Sequence, residues 1–528
     1  MIKALMLGLL LVGVVSPATA QVSPMDEAYQ AAQWADLSVT AQALARGAAR
    51  KSAQSPELRD LIDQLITARQ QYDVLETGAN TARGASGETA AYKARTLTDA
   101  ADKADADVQR LAAKLSHDYP SYNSLVAPFP ISLSDTQALL APDEAVVLIH
   151  PTANGTYIFC VRQNDAQWYR SDATGDDLTA EVDSLRFALD PGRDALRGKP
   201  SARDLPAAFV FSRQTAYKIY QQVLAPAAPL LAGARVVYVS SSGALSYLPL
   251  SVLVTKPPVG DDSNLKDVRR TDWLVRSYAL ATLPSVNSLK FLRHTTTTTT
   301  GGAFIGFGSP DLNAAERAND LEPLPGAKTE LQAMAKLFAP NKDKSQAPVL
   351  FLGGQATEKT LRTADLSAVR ILAFATHALR AGDVDGLDEP ALVLSDDPAS
   401  KDDSNDDGLL TASEAATLHL NADWVILSAC NTAAGRKKAG EQGDEVLSGL
   451  ARGFFASGAR SLIVSHWRIQ DAQAARLTSA AVRYYVVGHE GRADALRSAM
   501  LDMLDDHHDP QSAEPANWGA MVVVGEAR

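Results

Sequence analysis

Two short runs constrain this chain more than any other part of it: Val369-Arg370-Ile371-Leu372-Ala373-Phe374-Ala375 and Trp424-Val425-Ile426-Leu427-Ser428-Ala429. Each is almost continuously apolar and is bounded by small polar residues, the pattern of a strand buried on both faces. Strands of that kind belong to parallel sheets with helices on either side. The first run leads into Thr376-His377-Ala378 and the second into Cys430-Asn431. Each strand therefore delivers a reactive side chain at its carboxyl end, where open parallel sheets place their sites.

Singly, neither residue says much. A cysteine at a strand end is commonly a small buried hydrophobe. Together they say more, because 430 − 377 = 53 residues, close to the roughly 50 between the His and Cys of caspase-type proteases. A thiol needs a base or a positive neighbour to become a nucleophile at neutral pH, and an imidazole can also protonate a leaving amine. The pair suggests a cysteine peptidase.

The surrounding pattern is α/β. Strands are predicted at Ala303–Phe307, Val349–Leu352, 369–375, 424–429 and Ser461–Ser465. They alternate with helices at Ala327–Phe338, 357–365, Glu414–Leu418 and Asp444–Ala456, which predicts a mainly parallel sheet flanked by helices. Upstream, strands are predicted at Ala145–His150, Gly155–Arg162, Gln167–Arg170 and Arg235–Ser240, with Asn154-Gly155 as a hairpin signal and a helical stretch between Leu178 and Leu231. The low-complexity run Thr295–Thr300 with Gly301-Gly302 reads as a linker between two halves. Gly306-x-Gly308 is a weak hint of a nucleotide loop, lacking the third glycine and followed by Pro310.

The amino-terminal part differs in kind. Residues 1–20 have the form of a secretory signal: Lys3, an apolar core from Ala4 to Val15, and Ala18-Thr19-Ala20 before Gln21. The apolar run is too short to span a membrane comfortably. The expectation is an exported protein, periplasmic or secreted, without stable membrane insertion. Residues 21–130 read as helical, with Leu58, Leu61, Ile62, Leu65 and Ile66 at helical spacing, a break from Gly78 to Gly87, and a second helix from Glu88 to Ser116. Two long helices around a short connection form a hairpin.

A formal net charge of −12, with no basic tract, argues against nucleic acid as a partner. Cys160 and Cys430 are the only cysteines, so there is no disulfide framework. Cys160 lies in the apolar run Tyr157-Ile158-Phe159-Cys160-Val161 and reads as core. A bridge between the two would remove the nucleophile.

From about residue 131 to the carboxyl terminus the chain resembles the CHAT family of caspase-like proteins, relatives of separases and caspases. The resemblance rests on Ser242-Gly243-Ala244-Leu245-Ser246-Tyr247-Leu248-Pro249, Leu324-Pro325-Gly326-Ala327-Lys328-Thr329-Glu330, Phe374-Ala375-Thr376-His377 and Leu427-Ser428-Ala429-Cys430-Asn431-Thr432. Gly449-Leu450-Ala451-Arg452, Gly458-Ala459-Arg460-Ser461 and Asn517-Trp518-Gly519-Ala520 extend it. It implies a caspase-like domain over 131–528, with a pseudo-protease half (131–300) and an active half (301–528). It also implies His377 and Cys430 as the catalytic dyad, with backbone N–H groups near Ala378 and Cys430 holding the oxyanion. Family members often carry tetratricopeptide repeats ahead of this domain; here Tyr29-Gln30-Ala31-Ala32-Gln33-Trp34-Ala35 looks like a remnant repeat helix. One departure is Ala378, where caspase-like sites usually have glycine. Alanine keeps the N–H but adds a Cβ that restricts the backbone.

Other constellations carry paired readings. Trp467-Arg468-Ile469-Gln470-Asp471 resembles the separase W-x-x-x-D segment, which makes Asp471 either a specificity-pocket carboxylate selecting Arg or Lys, or the N-cap of the helix that follows. Asp403 to Glu414 matches a calcium-loop pattern but reads rather as an acidic surface loop with Thr411 or Ser413 capping a helix. His466 reads as a strand-end residue, and His507-His508 as an exposed polar turn. No cofactor or resident metal is expected. Two functions of different class follow: a cysteine endopeptidase acting on protein or peptide, with an activating protein partner left open, or a non-catalytic scaffold that keeps the fold.

Overall fold

The computed structural model describes residues 23–36, isolated positions between 57 and 83, and residues 88–118, 130–190, 210–294, 303–312, 321–338 except 322, 347–379 except 368, 383, 387, 389–396, 406–429 and 449–528. The leader at 1–20, the Thr295–Thr300 run, residues 403–405 and Cys430 itself lie outside them.

The strands in chain order are β1 (Glu144–Thr152), β2 (Gly155–Arg162), β3 (Ala166–Ser171), β4 (Val236–Ser241), β5 (Ala279–Thr282), β6 (Ala303–Gly308), β7 (Val349–Leu352) and β8 (Val369–Ala375). Then come β9 (Ala378–Leu379), β10 (Ala391–Val393), β11 (Leu409–Thr411), β12 (Trp424–Ser428), β13 (Ser461–Ser465) and β14 (Met521–Gly525). Eleven of them form one sheet in the order β3-β2-β1-β4-β5-β14-β13-β12-β8-β6-β7, and β11-β10-β9 form a small second sheet. From β1 to β7 every neighbouring pair is parallel except β13 with β14. The mainly parallel sheet read from the sequence is present.

Its central strands are buried along their whole length, as β4, β12 and β13 show. A strand covered on both faces has no polar side to display, which is why these segments read as continuous apolar runs. The edge strand β3, Ala-Gln-Trp-Tyr-Arg-Ser, is half-buried to exposed instead. Edge strands that carry polar side chains resist pairing with another chain.

The main helices are α1 (Pro24–Ala35), α2 (Glu88–Asp118), α3 (Gly175–Leu189), α4 (Arg213–Val223), α5 (Pro325–Lys336), α6 (Ala412–Thr417), α7 (Gly449–Ser457), α8 (Asp471–Val486) and α9 (Arg492–Leu504). Both faces of the sheet's second half are covered. On one, Phe374 meets Phe454 of α7 with ring centroids 5.4 Å apart. On the other, α5 lies so close to β6 that a Cβ at Gly308 would sit 2.8 Å from the Leu331 side chain and 2.4 Å from the Ala375 carbonyl oxygen. Gly306 meets the same leucine at 3.0 Å. These glycines therefore serve close helix–strand packing, not a nucleotide loop.

Three features differ from the sequence reading. Gly78, Ala79, Ala82 and Arg83 are helical, although they fall inside the predicted break. Gly78 packs on Leu97 of α2, where its missing side chain allows the approach. The helix holding Tyr29 packs on the sheet, with the Tyr29 and Phe159 rings 5.5 Å apart and the Gln33 amide donating to the Ile131 carbonyl at 2.9 Å. Finally, β5 and β14 had no counterpart in the prediction, yet they occupy the middle of the sheet. β14, near the carboxyl terminus, pairs with β5 on one side and β13 on the other, so the two halves share one continuous sheet.

A buried charge network pins this seam at the amino ends of the parallel strands. Arg293 donates to Glu526 at 3.0 Å and to Glu144 at 2.8 Å, and the Tyr238 hydroxyl donates to Glu526 at 2.5 Å. His377 follows the carboxyl end of β8.

Candidate active site

The two strands that carry the sequence-predicted dyad are neighbours. β8 and β12 pair in parallel, Ala373 opposite Ile426, Phe374 opposite Leu427 and Ala375 opposite Ser428. The chain reaches His377 two residues past Ala375 and Cys430 two residues past Ser428. Adjacent strands lie about 4.8 Å apart. The register thus brings both chain segments to the same edge of the sheet in step, and the Thr376 N–H extends the ladder to the Ser428 carbonyl at 3.4 Å. On the far side of β8, the Ser309 N–H bonds the Ala375 carbonyl at 3.1 Å, bringing the β6 end to the same edge.

His377 is half-buried and its main chain is fixed. Its carbonyl accepts from the Val393 N–H at 2.9 Å, and the buried Thr376 hydroxyl donates to the Val393 carbonyl at 2.5 Å. These bonds hand the chain from β8 into β9. There Ala378 sits opposite Leu392, and Leu379 opposite Ala391. In an antiparallel pair, bonded and non-bonded positions alternate. Since His377 and Val393 are a bonded pair, Ala378 falls at a non-bonded one, with its N–H pointing away from β10. β9 is the edge strand of its sheet. The Ala378 N–H is therefore not used by the β9–β10 ladder.

Behind the end of β12 lies a buried carboxyl. Glu330 of α5 is 3% exposed. It hydrogen-bonds the hydroxyls of Thr478, at 2.5 Å, and Ser428. Burial, the largest cause, pushes its acid up to about 7, with the nearby Asp471 charge acting in the same direction. Asp471 itself is half-buried at the start of α8. The reading of it as a cap for that helix does not hold, because Gln470 is the N-cap and makes no side-chain bond there. The Asp471 carboxylate instead accepts the Gly326 N–H at 2.7 Å, capping the first turn of α5 from outside. A Cβ at Gly326 would stand 2.5 Å from that oxygen, so the pairing depends on glycine.

The remaining candidates resolve as structure. His466 is 5% exposed; burial first, then the Arg186 charge, holds its imidazole down at about 3, so it stays neutral. Cys160 is a free thiol buried in β2, pushed up to about 12 chiefly by burial, which leaves it inert and unbridged. Thr411 caps α6 in a reciprocal capping box with Glu414, so the last carboxylate of the calcium-loop pattern is engaged in helix capping. Asp406 of that loop pairs with Arg362. His507 and His508 are exposed in a turn where the His508 N–H bonds Asp506 at 2.8 Å. Among the described residues no group of His, Cys, Asp or Glu could hold a metal ion.

Glu330 carried no role in the sequence reading. The signal available was a carboxylate among Ala327, Leu331 and Met334, the apolar face of an amphipathic helix.

Comparison with known proteins gives three results. The family model for the CHAT domain matches residues 213–526. Among solved structures the chain is similar to separase in the Saccharomyces cerevisiae separase–securin complex, at 10% sequence identity and a TM-score of 0.44, covering 90% of this chain and 38% of that one. No curated protein matches the sequence.

Proposed function

Because the chain belongs to the CHAT domain family, we propose that it is a cysteine endopeptidase working through Cys430 and His377. The observation that carries this reading is the β8–β12 register, Ala375 opposite Ser428, which runs the two segments to one edge in step.

In the proposed reaction the Cys430 sulfur, as thiolate, attacks the carbonyl carbon of the scissile peptide. The negative charge passes to the carbonyl oxygen, where N–H groups of Ala378 and Cys430 stabilise it. Collapse of this intermediate breaks the C–N bond, and His377 gives its proton to the departing amine. Water then attacks the thioester, His377 takes a proton from it, and the acid product leaves with the thiolate regenerated.

Asp471 is the residue we assign to substrate choice. One of its oxygens accepts the Gly326 N–H, and a carboxylate is the group that would select a basic side chain. The leader-like residues 1–20 support export to the periplasm or beyond. No helix among the described residues is long and apolar enough to cross a membrane.

The test is turnover of peptides with Arg, Lys or Leu before the scissile bond. Wild type should cleave the basic peptides, Cys430→Ala should cleave none, and Asp471→Asn should lose the basic preference roughly ten- to a hundred-fold. Absence of turnover in the wild type, with or without added partner proteins, would leave the family fold serving as a non-catalytic scaffold.

A further inference from the structure

Ser428 is the last residue of β12 and stands two positions before Cys430. Its side chain hydrogen-bonds Glu330 of α5, almost 100 residues earlier in the chain (428 − 330 = 98). Glu330 also meets Thr478 of α8, whose hydroxyl lies 2.9 Å from the Ala474 carbonyl. A hydroxyl has one proton to give. Thr478 gives it to Glu330 at 2.5 Å, and Ser428 hydrogen-bonds the same carboxyl, so Glu330 is the shared acceptor.

Three elements thus meet at one group: α5 through Glu330, α8 through Thr478 and β12 through Ser428. Gly326 and Asp471 add a second tie between the same two helices, one turn nearer the reactive edge. We propose that Glu330 is a positioning residue for the nucleophile strand, a carboxyl that ties Ser428 to Thr478 and thereby fixes the segment leading into Cys430. This rests on the peptidase reading for its consequence in catalysis, but not for the geometry.

The groups facing Glu330 are the Ser428 hydroxyl from β12 and, from α8, the Thr478 hydroxyl and the Asp471 charge. From β6 the neighbouring surface of α5 meets Gly306 and Gly308 through Leu331, and none of these titrates. Ionisation of Glu330 would place a second negative charge beside Asp471, while the hydroxyl bonds from Thr478 and Ser428 favour the charged form.

The experiment uses the full chain with Glu330→Gln, Glu330→Ala and, as a smaller cut from the other side, Ser428→Ala. Thermal unfolding confirms that each variant folds. Two readouts follow: peptide turnover resolved into kcat and KM, and the rate of Cys430 alkylation by iodoacetamide from pH 5.5 to 8.5, read by mass spectrometry with buried Cys160 as the internal reference. Glu330→Ala and Ser428→Ala should lower kcat and Cys430 alkylation at least ten-fold with KM within about two-fold. Glu330→Gln, which keeps a side-chain oxygen to accept from Ser428 or Thr478, should restore most of both. Alanine variants that match wild type, or a glutamine variant as impaired as alanine, would overturn the proposal. If wild type turns over no peptide, the peptidase reading fails and the alkylation rates alone decide the positioning role by the same criteria.

Discussion

The first and second halves of the sheet are built from the same kind of strand and end in different chemistry. β4 (Val-Val-Tyr-Val-Ser-Ser) and β8 (Val-Arg-Ile-Leu-Ala-Phe-Ala) are both almost wholly buried, and both have parallel neighbours. β4 leaves through Ser241-Ser242-Gly243, where Gly243 takes φ +63° to enter a short 3-10 turn. Beneath it is a cavity of about 40 Å³ lined by Ser241, Leu245, Thr282, Met521 and the neutral His466. That space suits one or two waters. β8 leaves through Thr376-His377, half-buried, beside the strand that leads to a thiol. The backbone frame sets where a reactive group could stand; the two or three residues past each strand decide whether one does.

The largest expected effect separates the two edges directly. His377→Ala should lower kcat by about 10²–10⁴-fold, the usual contribution of a positioned general acid, whereas Ser242→Ala, at the matching end of β4, should change it less than about three-fold. Equal losses would erase the distinction between the halves. Steady-state turnover with melting temperatures for both variants is the check.

A second expectation concerns what joins the halves. Arg293→Ala removes the cation from between Glu526 and Glu144 and should destabilise the fold by about 3–5 kcal/mol, because buried Glu526 loses its ion-pair partner while Glu144 keeps only Arg528. Urea unfolding should show one cooperative transition moved to lower denaturant. Two separated transitions would mean that β14 does not bind the halves into one unit.

The smallest effect depends on pH. The folded state holds the Glu330 proton up to about 7, above the ordinary carboxyl value of 4.5, mainly through burial. Between those values the folded chain binds more protons than the unfolded one. Stability from this group is therefore complete below about pH 4.5 and is lost as pH rises to 7, by up to about 3 kcal/mol. Glu330→Gln lacks the dependence. Unfolding free energies at pH 5 and 8 should fall more in wild type than in the variant; parallel changes would place the titrating group elsewhere.

How far the sequence foretold all this follows from physical range. Val369–Ala375 and Ser461–Ser465 were legible because burial on both faces writes itself into consecutive residues. β5, only Ala-Leu-Ala-Thr, has little intrinsic strand preference and is held by β4 and β14. Asp471 looked like a cap because capping is usually local, yet its partner Gly326 is 145 residues away. Glu330 and Thr478 are 148 apart. Partners brought together only by the sheet leave no local pattern, so the strand ends were readable and the ties behind them were not.

The central claim is that the second half's edge is chemically alive and the first half's is not. A peptidyl thiol-reactive probe ending in arginine, incubated with the full chain and followed by peptide mapping, tests it most directly. The account predicts a single adduct on Cys430, lost in Cys430→Ala and strongly slowed in His377→Ala, with Cys160 unmodified. Labelling that is undiminished in Cys430→Ala, or that falls on Cys160, would contradict it.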